Sequence, residues 1–575
     1  MAALINALDN YTPAQMGENG HVEYGWSNNI QETILQFSFQ LTRTDEKGMK
    51  SLSKILEKLL SSIKHTLEKG AIHDKILAKN YLSILYRMIG HTRDIVNGKG
   101  EYTLTYMMIQ TWHKFYPELA FFVLKCLVDI GKGVHQYGSW KDIKHFCEYC
   151  RNNGEQLDSP LILYAVKLIN EQLRLDYANM ISNSNEISLA AKWAPREKSA
   201  FRWLFHILST HYNAHFLETA HSDSQKSRAI LKCKTEYRKL ISTLNKKIDT
   251  LQIKQCAQTW ADINFDKVTS ISLAKQKKAF LNITKKGAVR FANDYDRIEC
   301  AENFKEHIEN PTKEMKGKRV GMADFTKQAL ELLSSPNKNK TEIDLLNSQW
   351  CNNSSQNGAL GKMIAMVDVS GSMNGDPMNV AIALGIRIAE KSLLGKRVMT
   401  FSSSPTWVNL EPYPDFVSQV KVLTKANWGM MTNFYAALDL ILNAIIESKM
   451  EPEEVQDMVL VILSDMQMDA GDKCDKKVLY DVMKEKYEAA GIRVHGKPYK
   501  PPHILFWNLR STSGFPSLAN QPNCSMMSGF SPVILNSFCD AGLTALESTT
   551  PWSMLEKSLN NERYQILTDK IETEI

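Results

Sequence analysis

The chain has 575 residues, 43% hydrophobic and 23% charged, a balance that excludes a disordered or collagen-like polymer and leaves room for about two to four folded domains. Its start, MAALINALDNYTPAQ, has no basic region, and no later stretch stays apolar for the roughly 18–20 residues of a membrane helix, so neither a secretory signal nor a span is expected. Ten scattered cysteines point to reduced thiols in the cytoplasm, and the formal net charge of +6 is uneven: residues 226–290 hold sixteen Lys/Arg against four Asp/Glu, so the rest of the chain is net acidic.

Residues 1–30 read as an N-terminal extension. From 31 to 299 apolar residues recur at three- and four-residue spacing, as in Ile55, Leu59, Leu60, Ile63 and in Ile76, Leu77, Tyr81, Leu82, Leu85, which predicts amphipathic helices. Turn signals at Asn97-Gly98-Lys99-Gly100, Gly131-Lys132-Gly133 and Asp158-Ser159-Pro160 separate segments of one helix each. An all-α array of HEAT-like pairs fits, without the sharp consensus of a regular repeat. Cys147-x-x-Cys150 beside His145 lacks a second ligand pair and reads as two buried thiols one turn apart.

The basic stretch holds Lys234, Arg238, Lys239, Lys246 and Lys247, then Lys277, Lys278, Lys285, Lys286 and Arg290, with Tyr237, Trp260 and Phe280 interleaved. This composition suits phosphate neutralisation and base stacking; a solvated helix surface is the plainer alternative. With no base-reading motif, RNA recognition would rest on shape or single strands.

Residues 300–358, with SSPNKNKTE and CNNSSQNG, read as a polar connection. From 359 to 575 short apolar strands (MIAMV, RVMTF, MVLVILS, HILFWN) alternate with helices, the pattern of a doubly wound, Rossmann-like α/β domain with a parallel sheet. At the end of its first strand, Asp368, Ser370 and Ser372 present oxygens at alternate positions, expected to face solvent in the crevice at a strand's carboxyl end. Thr432 and Asp465 follow at later loops. Hydroxyls and one or two carboxylates suit Mg2+ or another divalent cation, which keeps several waters; helix capping by the serines is the bland reading.

Asp-x-Ser-x-Ser after an apolar strand, a later Thr and a strand-ending Ser-Asp resemble the metal-ion-dependent adhesion site (MIDAS) of von Willebrand factor A-type domains. That resemblance implies a magnesium site whose open position accepts a carboxylate from a partner protein. Asn433 stands where such sites often have an acidic residue. The phrases Arg93-Asp94-Ile95, Gly98-Lys99-Gly100-Glu101, Tyr137-Gly138-Ser139-Trp140-Lys141-Asp142 and Ser188 to Pro195, together with those around Thr432 and Asp465, resemble the domain-of-unknown-function 2828 family of giant viruses, plants and protists along nearly the whole chain. That family in turn is similar in architecture to TROVE-containing Ro proteins, RNA-binding rings closed by an A-type domain.

Trp140, Trp193, Arg93 and Asp94 also have a structural reading, as core packing and an ion pair. No nucleophile elbow, His-Glu-x-x-His, Walker A or dinucleotide fingerprint stands in its proper context. The expectation is therefore a non-enzymatic, cytoplasmic RNA-binding scaffold with a divalent-metal site, located in the virus factory or virion if the source is a giant virus. A magnesium-dependent protein-binding scaffold is the alternative, and a metal-assisted hydrolase the third reading.

Overall fold

The structure, a computed structural model, describes residues 11–131, 133–184, 186–310, 315–336, 339–401, 404–425, 433–467, 479–539 and 546–575. A hairpin, β1 (Ala14–Met16) and β2 (Val22–Tyr24), leads into α1 (Ile30–Gln40), α2 (Glu46–Lys69), α3 (Ile72–Arg93), α4 (Tyr102–His113), α5 (Pro117–Cys126), α6 (Trp140–Asn152) and α7 (Pro160–Ile181). After α8 (Arg202–Tyr212) comes the long basic α9 (Asp223–Ile248), then α10 (Leu251–Ala257), α11 (Ser270–Phe280) and α12 (Tyr295–Glu309). The helices start where side chains satisfy their free N–H groups: Asp45 accepts from Gly48 N–H, and Ser222 with Gln225 forms a capping box. Leu52, Leu56, Leu59, Leu60 and Ile63 make the buried stripe of α2. From α1 to α9 each helix packs on its successor except α5, which packs on α4 and α7, while α6 packs on α4 and α7.

Polar clamps fix this array from inside. Arg93 Nε and Nη2 each lie 2.8 Å from an Asp142 oxygen, and the Tyr106 hydroxyl donates to Asp142 Oδ1 at 2.8 Å, joining α3, α4 and α6. Arg93 and Asp94 thus form no pair with each other; Asp94 pairs with Arg563. Trp140 is buried, whereas Trp193 is half-buried with the Lys141, Lys144 and Lys192 ammoniums 5.8, 5.3 and 5.9 Å from its ring. Cys147 and Cys150 are fully buried, and burial pushes both thiols up, Cys147 to about 12.

Next come α13 (Met322–Ser334) and α14 (Lys340–Ser354), then a six-stranded sheet: β3 (Lys362–Asp368), β4 (Arg397–Phe401), β5 (Thr406–Asn409), β6 (Met458–Ser464), β7 (His503–Asn508) and β8 (Cys524–Ser528). The strand order is β5-β4-β3-β6-β7-β8. All pairs are parallel except β4–β5, so the sheet is mixed rather than wholly parallel. The helices α15 (Asp376–Lys391), α16 (Phe416–Leu423), α17 (Phe434–Glu447) and α18 (Leu479–His495) lie between strands, and α19 (Pro551–Leu559) and α20 (Gln565–Glu574) end the chain.

Both faces of the sheet are buried, which is why its strands read as unbroken apolar runs. Successive residues point to opposite faces: Ile364, Met366, Leu460, Ile462, Ile504 and Phe506 join one core with the helical array, while Ala365, Val367, Val461, Leu463 and Trp507 join another. That second core includes Met322, Phe325, Ala329 and Leu332 of α13 and Trp350 of α14. Residues 300–358 are therefore no polar connection. Their apolar residues recur at helical spacing among many polar ones, and Trp350 stacks on Phe416 with centroids 4.0 Å apart.

Array and sheet domain share one core, and polar contacts lock them. Fully buried Lys99 donates to Ser38 O (2.9 Å), Leu41 O (3.1 Å) and Ser528 Oγ (2.6 Å), tying the end of α1 to the end of β8, and burial pulls its ammonium down to about 7. Asn508 donates to Phe39 O at 3.0 Å, and Glu32 accepts from Ala519 N–H at 2.8 Å. The chain end returns to the array, with α20 packing on α3 and α5. Among the described residues no helix is long and apolar enough to cross a membrane.

Candidate metal centre

The chain enters the sheet at β3, builds outward to β4 and β5, then returns to β6 on the other side of β3. Connections leave β3 and β6 in opposite directions, and this reversal opens a crevice at the strands' carboxyl ends. Asp368 ends β3 and Asp465 follows β6 directly, so the fold brings together two carboxylates separated by nearly a hundred residues.

Asp368 is fully buried rather than solvent-facing, because its carboxylate is held between the two strands: Oδ1 accepts from Ser370 N–H at 2.9 Å and Oδ2 from the Ser464 hydroxyl at 2.6 Å. Beyond it a short 3-10 turn, Gly371–Met373, brings the Ser370 and Ser372 hydroxyls within 3.1 Å of each other. Asp465 is also fully buried; its Oδ1 accepts from Gln467 N–H at 3.2 Å, whereas its Oδ2 has no hydrogen-bond partner. Arg510 Nη1 stands 3.9 Å from that oxygen and donates to Ser372 O at 2.7 Å, bridging the two loops.

Burial raises both carboxyls. Asp368 is pushed up to about 7, with the Asp465 charge adding to the effect and the Ser464 hydroxyl and Ser370 opposing it. Asp465 is raised by burial against the Gln467 N–H, the Ser372 hydroxyl and the Arg510 charge, with Glu18 adding negative potential. Two desolvated carboxylates, a pair of hydroxyls and a buried oxygen without a hydrogen-bond partner make a donor set suited to a small divalent cation, with the Arg510 guanidinium competing for it. The residues present fit a divalent ion. Among the described residues no three His, Cys, Asp or Glu side chains cluster as a metal site, so hydroxyls and water would complete the coordination. Thr432 lies outside the described residues. Asn433, just after it, caps α17 by accepting from Ala436 N–H at 3.0 Å.

Two participants escaped the sequence reading. Arg510 stands two residues beyond β7, the next strand of the same edge, and a cation at that offset was the available signal. The β1–β2 hairpin is not a free extension: Tyr24 bridges to Phe515, and at its tip Glu18 N–H donates to Gln467 Oε1 and Asn19 Nδ2 to Gln467 O, both at 3.1 Å.

The basic residues do not form one continuous face. Lys277 is buried, donates to Gln328 Oε1 at 2.9 Å and stands 4.0 Å from Glu342 Oε1, so it is an internal tether and no phosphate contact. Arg238 pairs with Glu197 at 2.5 Å and Lys239 with Glu236 at 3.0 Å. Lys234 and Lys278 are half-buried, while Lys246, Lys247, Lys285, Lys286 and Arg290 are exposed. Of the interleaved aromatics, Tyr237 and Phe280 are fully buried core residues.

Two family profiles match the chain: one described as Domain of unknown function (DUF7788) over residues 362–572, the other as Domain of unknown function (DUF2828) over residues 160–299. The DUF2828 profile thus covers part of the helical array, and a separate profile covers the sheet domain. The chain is also 30% identical over 556 residues to the uncharacterized protein L728 of Acanthamoeba polyphaga mimivirus, spanning 94% of this chain and 86% of the viral protein.

Proposed function

On the footing that the chain belongs to the DUF2828 family and has a giant-virus relative along nearly its whole length, we propose that it is a binding scaffold whose sheet domain is of the von Willebrand factor A type and holds a divalent cation. Asp368, Ser370, Ser372 and Asp465 would hold magnesium, with Thr432 as the expected fifth residue. The open face of the ion would take a carboxylate from a partner protein. One observation carries this reading: Asp465 Oδ2 is buried without a hydrogen-bond partner, with Arg510 Nη1 3.9 Å away, and a bound divalent ion would supply the close partner this oxygen lacks. Binding rather than catalysis is the proposed activity, in the cytoplasm or, for a viral copy, in the virus factory or virion.

Isothermal titration with magnesium tests it. The proposal expects saturable binding to the full chain, lost in Asp465→Asn, which keeps the shape and removes the charge. Equal magnesium affinity in that variant sinks the metal reading and leaves Ser370 and Ser372 as turn residues.

A second reading has its own support. Lys246, Lys247, Lys285, Lys286 and Arg290 remain exposed on the array side of the chain, where they suit an RNA backbone. The HEAT-like, Ro-type comparison belongs to this reading.

A further inference from the structure

Between α11 and α12 the chain makes a small hairpin. Ile283 bridges antiparallel to Val289, Thr284 N–H donates to Ala288 O at 2.8 Å and Arg290 N–H to Asn282 O at 2.8 Å. Its tip is Lys285-Lys286-Gly287, with Gly287 at φ 86°, a left-handed conformation that suits glycine. Both cations and Arg290 are exposed.

Apolar rings stand beside these charges. Phe291 is 50% exposed, Tyr295 86% and Val289 60%, an unusual outlay of apolar surface within a few residues. Phe291 is rigidly held, because Asn282 clamps both of its backbone polar groups, donating to its carbonyl at 3.0 Å and accepting from its N–H at 3.2 Å. Behind it the buried Arg297 guanidinium lies 3.5 Å from the Trp260 ring centroid and 5.3 Å from that of Phe291. Asp296 in turn fixes Trp260, accepting from the Trp260 and Ala261 N–H groups at 2.8 Å each. The result is a supported stack, Trp260 to Arg297 to Phe291, with its last ring open to solvent.

We propose that this hairpin is a docking site for single-stranded nucleic acid, whose bases stack on Phe291 and Tyr295 while Lys285, Lys286 and Arg290 meet its phosphates. The inference rests on the nucleic-acid reading above and narrows it to one place and one strand state. Exposed rings supply faces that every base matches, and flanking cations select a polyanion over an apolar peptide. A duplex keeps its base faces stacked inside and cannot use the rings. The exposed carboxylates nearest in the chain to these residues include Asp262, Asp294 and Glu299; Asp294 is engaged as the cap of α12, accepting from Arg297 N–H at 3.3 Å.

Fluorescence anisotropy with the full chain decides it, using labelled oligouridylate, oligothymidylate and an RNA duplex of equal length. Both single strands bind and the duplex does not compete at equal concentration; a preference between the first two identifies RNA or DNA as the source. Phe291→Ala with Tyr295→Ala loses roughly tenfold or more in single-strand affinity with an unchanged salt slope, and Tyr295→Ala alone, at a fully accessible side chain, loses part of it. Lys285→Ser with Lys286→Ser lowers the salt slope by about 1.4. Melting temperatures of the variants match the parent. If single strands bind but none of these variants weakens them, the site is wrong while the nucleic-acid reading stands, with Lys246 and Lys247 the next surface to test. If no oligonucleotide binds, both fail. Self-association of the parent that Tyr295→Ala abolishes, without oligonucleotide binding, assigns the rings to a second copy and overturns the proposal.

Discussion

Asp94 and Arg563, 469 positions apart, meet in a bidentate ion pair with distances of 2.7 and 2.8 Å, the carboxylate fully buried. Val96 N–H and the Tyr564 hydroxyl donate to the same carboxylate at 2.9 and 3.1 Å. Arg563→Met leaves that charge buried without its cation and is expected to cost about 3 kcal/mol or more. Urea denaturation measures the loss, and pairing it with Asp94→Asn should recover a large part. A single-variant loss below about 1 kcal/mol would show that Asp94 is satisfied by its neutral donors alone.

Glu32 makes stability depend on pH. Burial pushes its carboxyl up to about 7, opposed by the Ala519 N–H, and its Oε1 has no hydrogen-bond partner. Because the folded pKa is the higher one, the folded state keeps the proton longer. The associated stability is fully present below about pH 4.5 and is lost as pH rises through 7, by on the order of 3 kcal/mol from this group. Glu32→Gln is expected to be more stable than the parent at pH 8 and close to it at pH 4.5, read by thermal melts at both values. A parallel loss at both pH values would mean that Glu32 is ionised in the fold.

Magnesium should also stabilise the folded chain. At one hundred times its dissociation constant a ligand specific to the native state adds about 2.7 kcal/mol, so the melting temperature rises with magnesium and returns on chelation. Asp465→Asn abolishes that shift. Asp368→Ala abolishes it too and also lowers the metal-free melting temperature, since Asp368 holds Ser370 and Ser464 in place. An unaltered metal-free melt in Asp368→Ala would contradict the structural half of this account.

Residues 359–575 expressed alone expose Phe515 and the C-terminal residues Trp552, Tyr564, Leu567 and Ile571, which pack against α1, α3 and α5 of the array in the whole chain. The expected outcome is an aggregating or loosely packed product with weak near-ultraviolet circular dichroism. A soluble fragment with a sharp melt would show that the two parts fold independently.

Much of the sheet was legible because burial on both faces writes itself as continuous apolar runs, as in β3, β6 and β7. That Asp368, Ser370, Ser372 and Asp465 stand at or just beyond the ends of β3 and β6 was legible from their place after such runs. β5, with Thr406, Trp407, Val408 and Asn409, is a short edge strand with one buried residue among four, and β8 contains two buried serines, so neither shows that pattern. In α13 the buried stripe of Met322, Phe325, Ala329 and Leu332 was diluted by flanking polar sequence. Charge counting missed Lys277 because the sequence does not say which face of α11 turns toward Glu342. Arg510 and the β1–β2 hairpin reach the candidate site only through long-range contacts, which leave no local periodicity.

The return of α20 to α3 sets a timetable for biosynthesis. Asp94 leaves the ribosome 469 residues before Arg563, which at about 5–20 residues per second is roughly half a minute to a minute and a half. Throughout that interval the nascent array carries an unmatched carboxylate and an uncovered apolar seam where α3 and α5 await the last helix. A chain whose synthesis is cut short before α20 therefore lacks a side of its first-made core, and such truncated products are natural clients for chaperones and proteases.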